Sequence, residues 1–215
     1  MYNFENEFMC RLENDAFTRG FKTIAGIDEA GRGALAGPVV AACVVLDPHN
    51  IPPGIVDSKK ISDKKRRSLF ERICRTAVST GIGSISSSVI DEINILNATK
   101  LAMKAAIDNS AFKPDFLLID AVKLYDILIS SLSVVKGEEK SVSVAAASIV
   151  AKVYRDDIMV TLSKQYPDYG FSSHKGYPTA LHKNMLFKYG PLVIHRNSYR
   201  PVGEVCDLWK LKNQK

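Results

Sequence analysis

The chain has 215 residues, 46% of them hydrophobic and 24% charged, which suits a soluble globular protein with one substantial core and leaves no room for two comfortable domains plus a linker. Lysines and arginines exceed acids by 29 − 23 = 6, a mild basic balance suited to a polyanionic partner. The four cysteines, Cys10, Cys43, Cys74 and Cys206, lie far apart without C-x-x-C spacing, which indicates neither a zinc site nor a disulfide framework. No apolar run reaches membrane-spanning length, and the acidic, amphipathic start is unlike a secretory signal, so a cytoplasmic protein is expected.

Phe4, Phe8, Leu12 and Phe17 recur near helical spacing and predict a first helix over 3–18. A strand is expected at 22–27. It runs into Asp28-Glu29-Ala30-Gly31-Arg32-Gly33, two adjacent carboxylates followed by two glycines around an arginine. Adjacent side chains on a strand point to opposite faces, so both acids reach one site only where the strand ends and the backbone turns. The alternative is a plain β-turn with a solvated Glu29. A buried strand at 39–46 follows, then a Pro-rich surface loop over 47–54.

Asp57-Ser58-Lys59-Lys60 precedes an N-cap at Ser62 and a helix to about 79, with Leu69, Phe70, Ile73 and Ala77 inward. Lys64, Lys65, Arg66 and Arg67 read as its solvated face. Lys59 and Lys60, in a loop beside Ser58, are the better candidates for phosphate contact. Residues 81–89 alternate as a weak strand, and a helix from Asp91 carries Ile93, Leu96, Met103 and Ile107 on one stripe. The short apolar run 116–120 ends in Asp120, a second acid at a strand end, and acids so gathered call for a cation.

A β-like piece at 132–135 leads through Lys136-Gly137-Glu138-Glu139-Lys140 into a long helix over 142–163, whose first half of small residues suits close packing on a sheet. After Pro167 come a loop and a helix, with His174-Lys175-Gly176-Tyr177 on a glycine turn. The histidines show no metal-ligand spacing. The element order predicts an α/β protein with a mixed sheet covered by helices and helical additions at the C-terminus. The division expected is one domain over 1–215, with an N-terminal helix within 1–20 and a helical extension and tail from about 165.

Over nearly its whole length the chain resembles bacterial ribonuclease HII. The likeness rests on DEAGRG followed by G-P-V-V-A-A, the DSK loop at 57–59, the strand ending at Asp120, the block from Lys136 through AAASI and AKV to Arg155-Asp156, and His174 to Tyr177. It implies an RNase H-like fold with a five-stranded mixed sheet, and hydrolysis of the RNA strand of RNA·DNA hybrids. It further implies cutting 5′ of single ribonucleotides in duplex DNA, with a role in repair and primer removal.

By position, the resemblance assigns Asp28, Glu29, Asp120 and Glu138 as ligands of Mn²⁺ or Mg²⁺. The family's fourth acid is usually Asp, so Glu138 is a departure, and Asp156 is the alternative. It also implies that Gly31, Arg32 and Gly33 grip the ribonucleotide and read its 2′-hydroxyl, that Tyr177 lies beneath the next deoxyribose, and that the protein is a monomer.

Three alternatives are weighed. The sister family, ribonuclease HIII, typically has a lysine at the position of Arg32. A transposase- or resolvase-like nuclease would share the acids and cut all-DNA substrates. A non-enzymatic nucleic-acid-binding protein would bind without cutting. A dinucleotide-binding reading of Gly31-x-Gly33 fails because Gly37 comes one residue too late.

Overall fold

The computed structural model describes residues 7–213. Within them the chain forms two compact units, the first from 7–30, 40–84 and 100–153, the second from 31–39, 85–99 and 154–213.

The first unit is built on a five-stranded sheet in the order β3-β2-β1-β4-β5: β1 (Ile24–Ala30), β2 (Val39–Val45), β3 (Ser79–Ile85), β4 (Phe116–Asp120) and β5 (Ser130–Val134). β1 pairs antiparallel with β2 and parallel with β4, and β4 pairs parallel with β5, so the sheet is mixed as expected. α1 (Arg11–Thr18) and α2 (Asp63–Thr76) belong to this unit, as do the part of α3 (Ser87–Asp108) from residue 100 and the part of α4 (Val142–Gln165) up to residue 153.

Alternation along the strands sends Ile24, Ala42, Val44, Phe116, Leu118 and Val134 into one core cluster, where they meet the fully buried start of α4. The small residues of that helix let it come down onto the sheet at Gly26. A Cβ on Gly26 would lie 2.0 Å from the Ser143 carbonyl carbon, so only glycine permits this approach. On β3 the same device recurs: Cβ atoms at Gly81 and Gly83 would meet the Ala106 and Ala102 carbonyl oxygens at 2.1 and 2.0 Å.

α1 is tied to the first turn of α4 by Glu13, fully buried, whose Oε1 accepts from Ser141 Oγ at 2.5 Å and from the Ser143 amide at 3.0 Å. A carboxylate from another helix thus satisfies the Ser143 amide, and Ser141 Oγ accepts from the Val144 amide at 3.1 Å. Burial nonetheless raises the Glu13 pKa, against these hydrogen bonds.

Several expectations needed correction. β1 runs to Ala30 rather than stopping at Ile27, so Asp28 and Glu29 lie inside the strand and pair with Ala42 and Ala41. The third strand starts earlier and ends at Ile85, because helix begins at Ser87. α3 breaks at Asn94 (φ 65°, ψ 164°), whose Oδ1 accepts from the Asn97 amide at 3.1 Å and caps the helix that resumes. The break resets the helical register. Met103 and Ile107 are therefore buried, while Leu96 of the predicted stripe is 45% exposed. α1 is shorter than predicted and follows a 3₁₀ turn (Glu7–Cys10); the part of the predicted helix at 3–6 lies outside the described residues, as does the end of the tail at 214–215.

In the second unit, α5 (Phe171–His174), α6 (Ala180–Tyr189) and α7 (Arg200–Asn213) provide the helical C-terminal region. Its apolar contacts form two clusters, one of Leu35, Leu186, Val202 and Val205, the other of Ala36, Met159, Tyr169 and Phe171. Three buried histidines join the second cluster: His174 stacks on His182 at 4.3 Å between centroids, and His182 Nε2 lies 3.1 Å from His195 Nε2. Among the described residues no helix is long and apolar enough to cross a membrane.

Candidate active site

β4 pairs with β1 only as far as Ile27 opposite Ile119, and then ends at Asp120. Asp120 follows directly on that last pair, level with Asp28, so the carboxylates of Asp28 and Glu29 converge with it although β1 has not turned. One carboxylate oxygen from each of the three lies within 4.8 Å of the others. Convergence therefore rests on the register of β4 against β1.

Backbone and hydroxyl donors orient these acids. Asp28 Oδ1 accepts from the Glu29 amide at 2.7 Å, and Asp28 also accepts from Ser148 on α4. Ser148 Oγ lies 2.9 Å from Ser58 Oγ in the DSK loop. Asp120 Oδ1 accepts from the Gly137 amide at 2.8 Å, a turn made possible by the left-handed backbone of Lys136.

Burial, then the charges of Glu29 and Asp120, hold the Asp28 carboxyl well above the ordinary carboxylate range. Burial and then Glu138 raise Asp120 against the Gly137 amide. Glu138 thus stands beside Asp120, its Oε1 3.4 Å from Lys59 Nζ; its Oε2 is buried and has no hydrogen-bond partner among the described residues.

All these donors are hard carboxylate oxygens, crowded, partly buried and mutually repelling. They fit a divalent cation of the Mg²⁺ or Mn²⁺ type and not the nitrogen and sulfur preference of a structural zinc site. Lys59 and Lys60, expected at phosphate, pair here with Glu138 and Glu139; Lys60 Nζ is 2.6 Å from Glu139 Oε1.

In the second unit Gly31 has φ +97°, and a Cβ there would lie 2.0 Å from Arg155 Nε. Arg32 and Gly33 are exposed. Arg155 is fully buried and donates to the carbonyls of Pro38 (3.0 Å), Ala36 (3.1 Å) and Lys175 (3.0 Å), with its guanidinium 5.2 Å from the Tyr177 ring centroid. Tyr177 is half-buried. Its carbonyl faces His182 Nδ1 at 3.0 Å. Asp156 is buried in the second half of α4.

The sequence motifs include Ser148 and Arg155 without giving them a role, and they leave out Arg196 and Tyr199. Arg155 lies within the AKV-x-R-D block, where a charged residue directly after an apolar, small-residue run hinted at burial. Arg196 and Tyr199 carry no such hint.

The ribonuclease HII family profile matches residues 25–202. The chain is 54% identical over 191 residues to a ribonuclease HII of Acetivibrio thermocellus, covering 89% of this chain and 75% of that protein. It is 50% identical over 202 residues to a ribonuclease HII of Geobacillus sp. (strain WCH70), covering 94% and 73%. The crystal structure of ribonuclease H2 from Pyrococcus horikoshii OT3 superposes with a TM-score of 0.73 at 26% identity, covering 88% of this chain and 99% of that one. With a matched profile across both compact units and half of all residues shared with such relatives, this chain belongs to the ribonuclease HII family and is a ribonuclease H hydrolase with the RNase H-like fold.

Proposed function

We propose that this ribonuclease H cleaves the RNA strand of RNA·DNA hybrids endonucleolytically and cuts on the 5′ side of single ribonucleotides embedded in duplex DNA, in ribonucleotide removal and primer processing. The observation that carries the catalytic part is the convergence of Asp28, Glu29 and Asp120 within 4.8 Å, with Asp28 and Asp120 both raised toward protonation. Such a cluster is unfavourable for stability and favourable for holding divalent cations.

On this reading Asp28, Glu29, Asp120 and Glu138 hold Mg²⁺ or Mn²⁺. Bound in pairs, such ions supply an activated water, neutralise charge on the phosphate and stabilise the leaving oxygen. The chain's own contribution is orientation. Ser148, braced by Ser58, fixes one side of Asp28, and the Gly137 amide fixes Asp120. Attack by water leaves a 3′-hydroxyl and a 5′-phosphate. The ribose 2′-hydroxyl then serves only for recognition, by Gly31, Arg32 and Gly33. Tyr177 supports the adjoining deoxyribose, and Lys59 and Lys60 stand ready for phosphate once their acids are otherwise neutralised.

The test is cleavage of a labelled DNA duplex carrying one ribonucleotide, beside the same duplex without it, in Mg²⁺, Mn²⁺ or EDTA. A metal-dependent cut 5′ of the ribonucleotide, absent from the all-DNA control, is the expected result. Cutting of both duplexes would replace this reading with that of a general nuclease.

A further inference from the structure

The segment Gly31 to Gly37 carries little secondary structure of its own, yet it is held at Arg32, Leu35, Ala36 and Gly37 by the segment 194–199. The Arg196 amide donates to the Leu35 carbonyl at 2.8 Å, the Gly37 amide donates to the Ile194 carbonyl at 2.9 Å, and Ala36 bridges to His195. At the centre is the Arg196 guanidinium, fully buried. Nε and Nη2 donate to the Gly37 carbonyl at 3.1 and 2.9 Å, and Nη1 donates to the Arg32 carbonyl at 2.9 Å. Nη1 also donates to Tyr199 Oη at 3.0 Å, and the Tyr199 hydroxyl donates to the Arg32 carbonyl at 2.5 Å.

Two carbonyls five residues apart thus have both lone pairs taken by one rigid fork and one phenol. Burying a guanidinium is costly, and closing a loop does not require it. The consequence that does require it is orientation. The Arg32 carbonyl and the Gly33 amide belong to one planar trans peptide and point in opposite directions. Fixing the carbonyl on Arg196 and Tyr199 turns the Gly33 N–H away from them. Gly33 is exposed, and a Cβ there would meet nothing within 4 Å, so there is open space beside this residue.

We infer that Arg196, together with Tyr199, is a positioning residue for ribonucleotide recognition: it locks the Arg32–Gly33 peptide so that the Gly33 N–H is presented as a donor to the 2′-hydroxyl side of the ribose. This rests on the reading of Gly31–Gly33 as the ribonucleotide grip. Neither residue touches the reacting atoms.

The test compares wild type, Tyr199→Phe and Arg196→Lys in kcat and KM on the single-ribonucleotide duplex, in the inhibition constant of the all-DNA duplex used as a competitor, and in melting temperature. Tyr199→Phe removes one of the two donors to the Arg32 carbonyl, together with the hydroxyl that accepts from Arg196 Nη1, and keeps the ring against the guanidinium. Its kcat/KM is expected to fall about tenfold, the worth of one strong hydrogen bond, with the all-DNA inhibition constant unchanged. Arg196→Lys keeps the charge without the fork and is expected to fall further in the same ratio. If Arg196→Lys does not fold, Tyr199→Phe carries the test alone.

An unchanged kcat/KM in Tyr199→Phe, or an equal loss in affinity for the all-DNA duplex, would overturn the positioning role. A wild type that cuts the all-DNA duplex as readily as the ribonucleotide duplex would instead overturn the reading of Gly31–Gly33 itself.

Discussion

The Lys59 ammonium lies 3.4 Å from Glu138 Oε1, although the lysine side chain is 75% exposed and the glutamate side chain only 10%. Burial works against charge on Lys59, but Glu138, then Asp28 and Asp57, outweigh it and raise its pKa. The lysine is therefore a tethered counter-ion for the acidic cluster. Its exposure limits what the pair contributes to stability, so Lys59→Met should cost under about 1 kcal/mol. Removing a competing cation should let Mn²⁺ raise the melting temperature at about threefold lower concentration, even if cleavage slows. Thermal melts across a Mn²⁺ titration measure this. A requirement for more Mn²⁺ would mean that Lys59 organises the ligands instead of competing for them.

Asp28 should lower stability at neutral pH. Its folded pKa is raised above the unfolded value of about 3.9, so the cost of ionisation is fully present above the folded value, shrinks as pH falls below it and is gone once pH reaches the unfolded value. Asp28→Asn should therefore stabilise the apoprotein by about 1 kcal/mol, a rise of roughly 2–4 °C, while abolishing cleavage. Asp120→Asn should remove most of the metal-induced rise in melting temperature, which for a site at a hundred times its dissociation constant is about 2.7 kcal/mol. Calorimetry with and without Mn²⁺ measures both. An Asp120→Asn variant with the full metal response would place Asp120 outside the metal site.

The two glycines around Arg32 should behave oppositely. Gly31→Ala puts a methyl 2.0 Å from Arg155 Nε at φ +97° and should destabilise the fold by about 3 kcal/mol or more. Gly33→Ala meets open space and should leave stability within about 0.5 kcal/mol of wild type while reducing cleavage of the single-ribonucleotide duplex. Urea melts and cleavage rates on the same preparations separate the two effects. Full activity in Gly33→Ala would remove that backbone from recognition.

The histidine trio should make the second unit acid-sensitive. Burial, then neighbouring histidines, lower His182 to about 4 and His195 to about 3. In the unfolded chain each takes up a proton near pH 6.5. Stability is therefore fully present above about pH 6.5 and is lost as pH falls toward 4 and then 3, with a loss on the order of 3 kcal/mol for His182 at 1.36 kcal/mol per unit. Unfolding midpoints between pH 7 and 4 should fall steeply, and His182→Gln should flatten the slope. An unaltered slope would assign the acid sensitivity to the carboxylates.

How much was legible beforehand varied with the range of the interactions involved. β4 was predicted residue for residue, α2 began at its Ser62 cap, and the small residues of α4 correctly announced a helix pressed onto a sheet. These features are local: a cap, an apolar run bounded by turn residues, a periodicity. The acids Asp28, Glu29 and Asp120 were likewise visible as residue types at strand ends. What brings them together was not, because it depends on where β4 stops against β1, a matter of register between strands some ninety residues apart.

The same distinction covers the remaining surprises. The break at Asn94 reset a helical stripe that looked continuous in sequence. Lys59 and Lys60 found carboxylates seventy-nine residues away. Arg196, which reads as one more surface cation in a basic protein, is buried beneath the glycine-rich segment and turns its peptide. By itself the sequence determined the mixed α/β class, which follows from local propensity and periodicity, and the resemblance to a family, which follows from short motifs in order along the chain. Only the tertiary structure decided which charges are buried, which are paired and how the Arg32–Gly33 peptide is held, because those outcomes depend on desolvation and on hydrogen-bond partners that chain order does not specify.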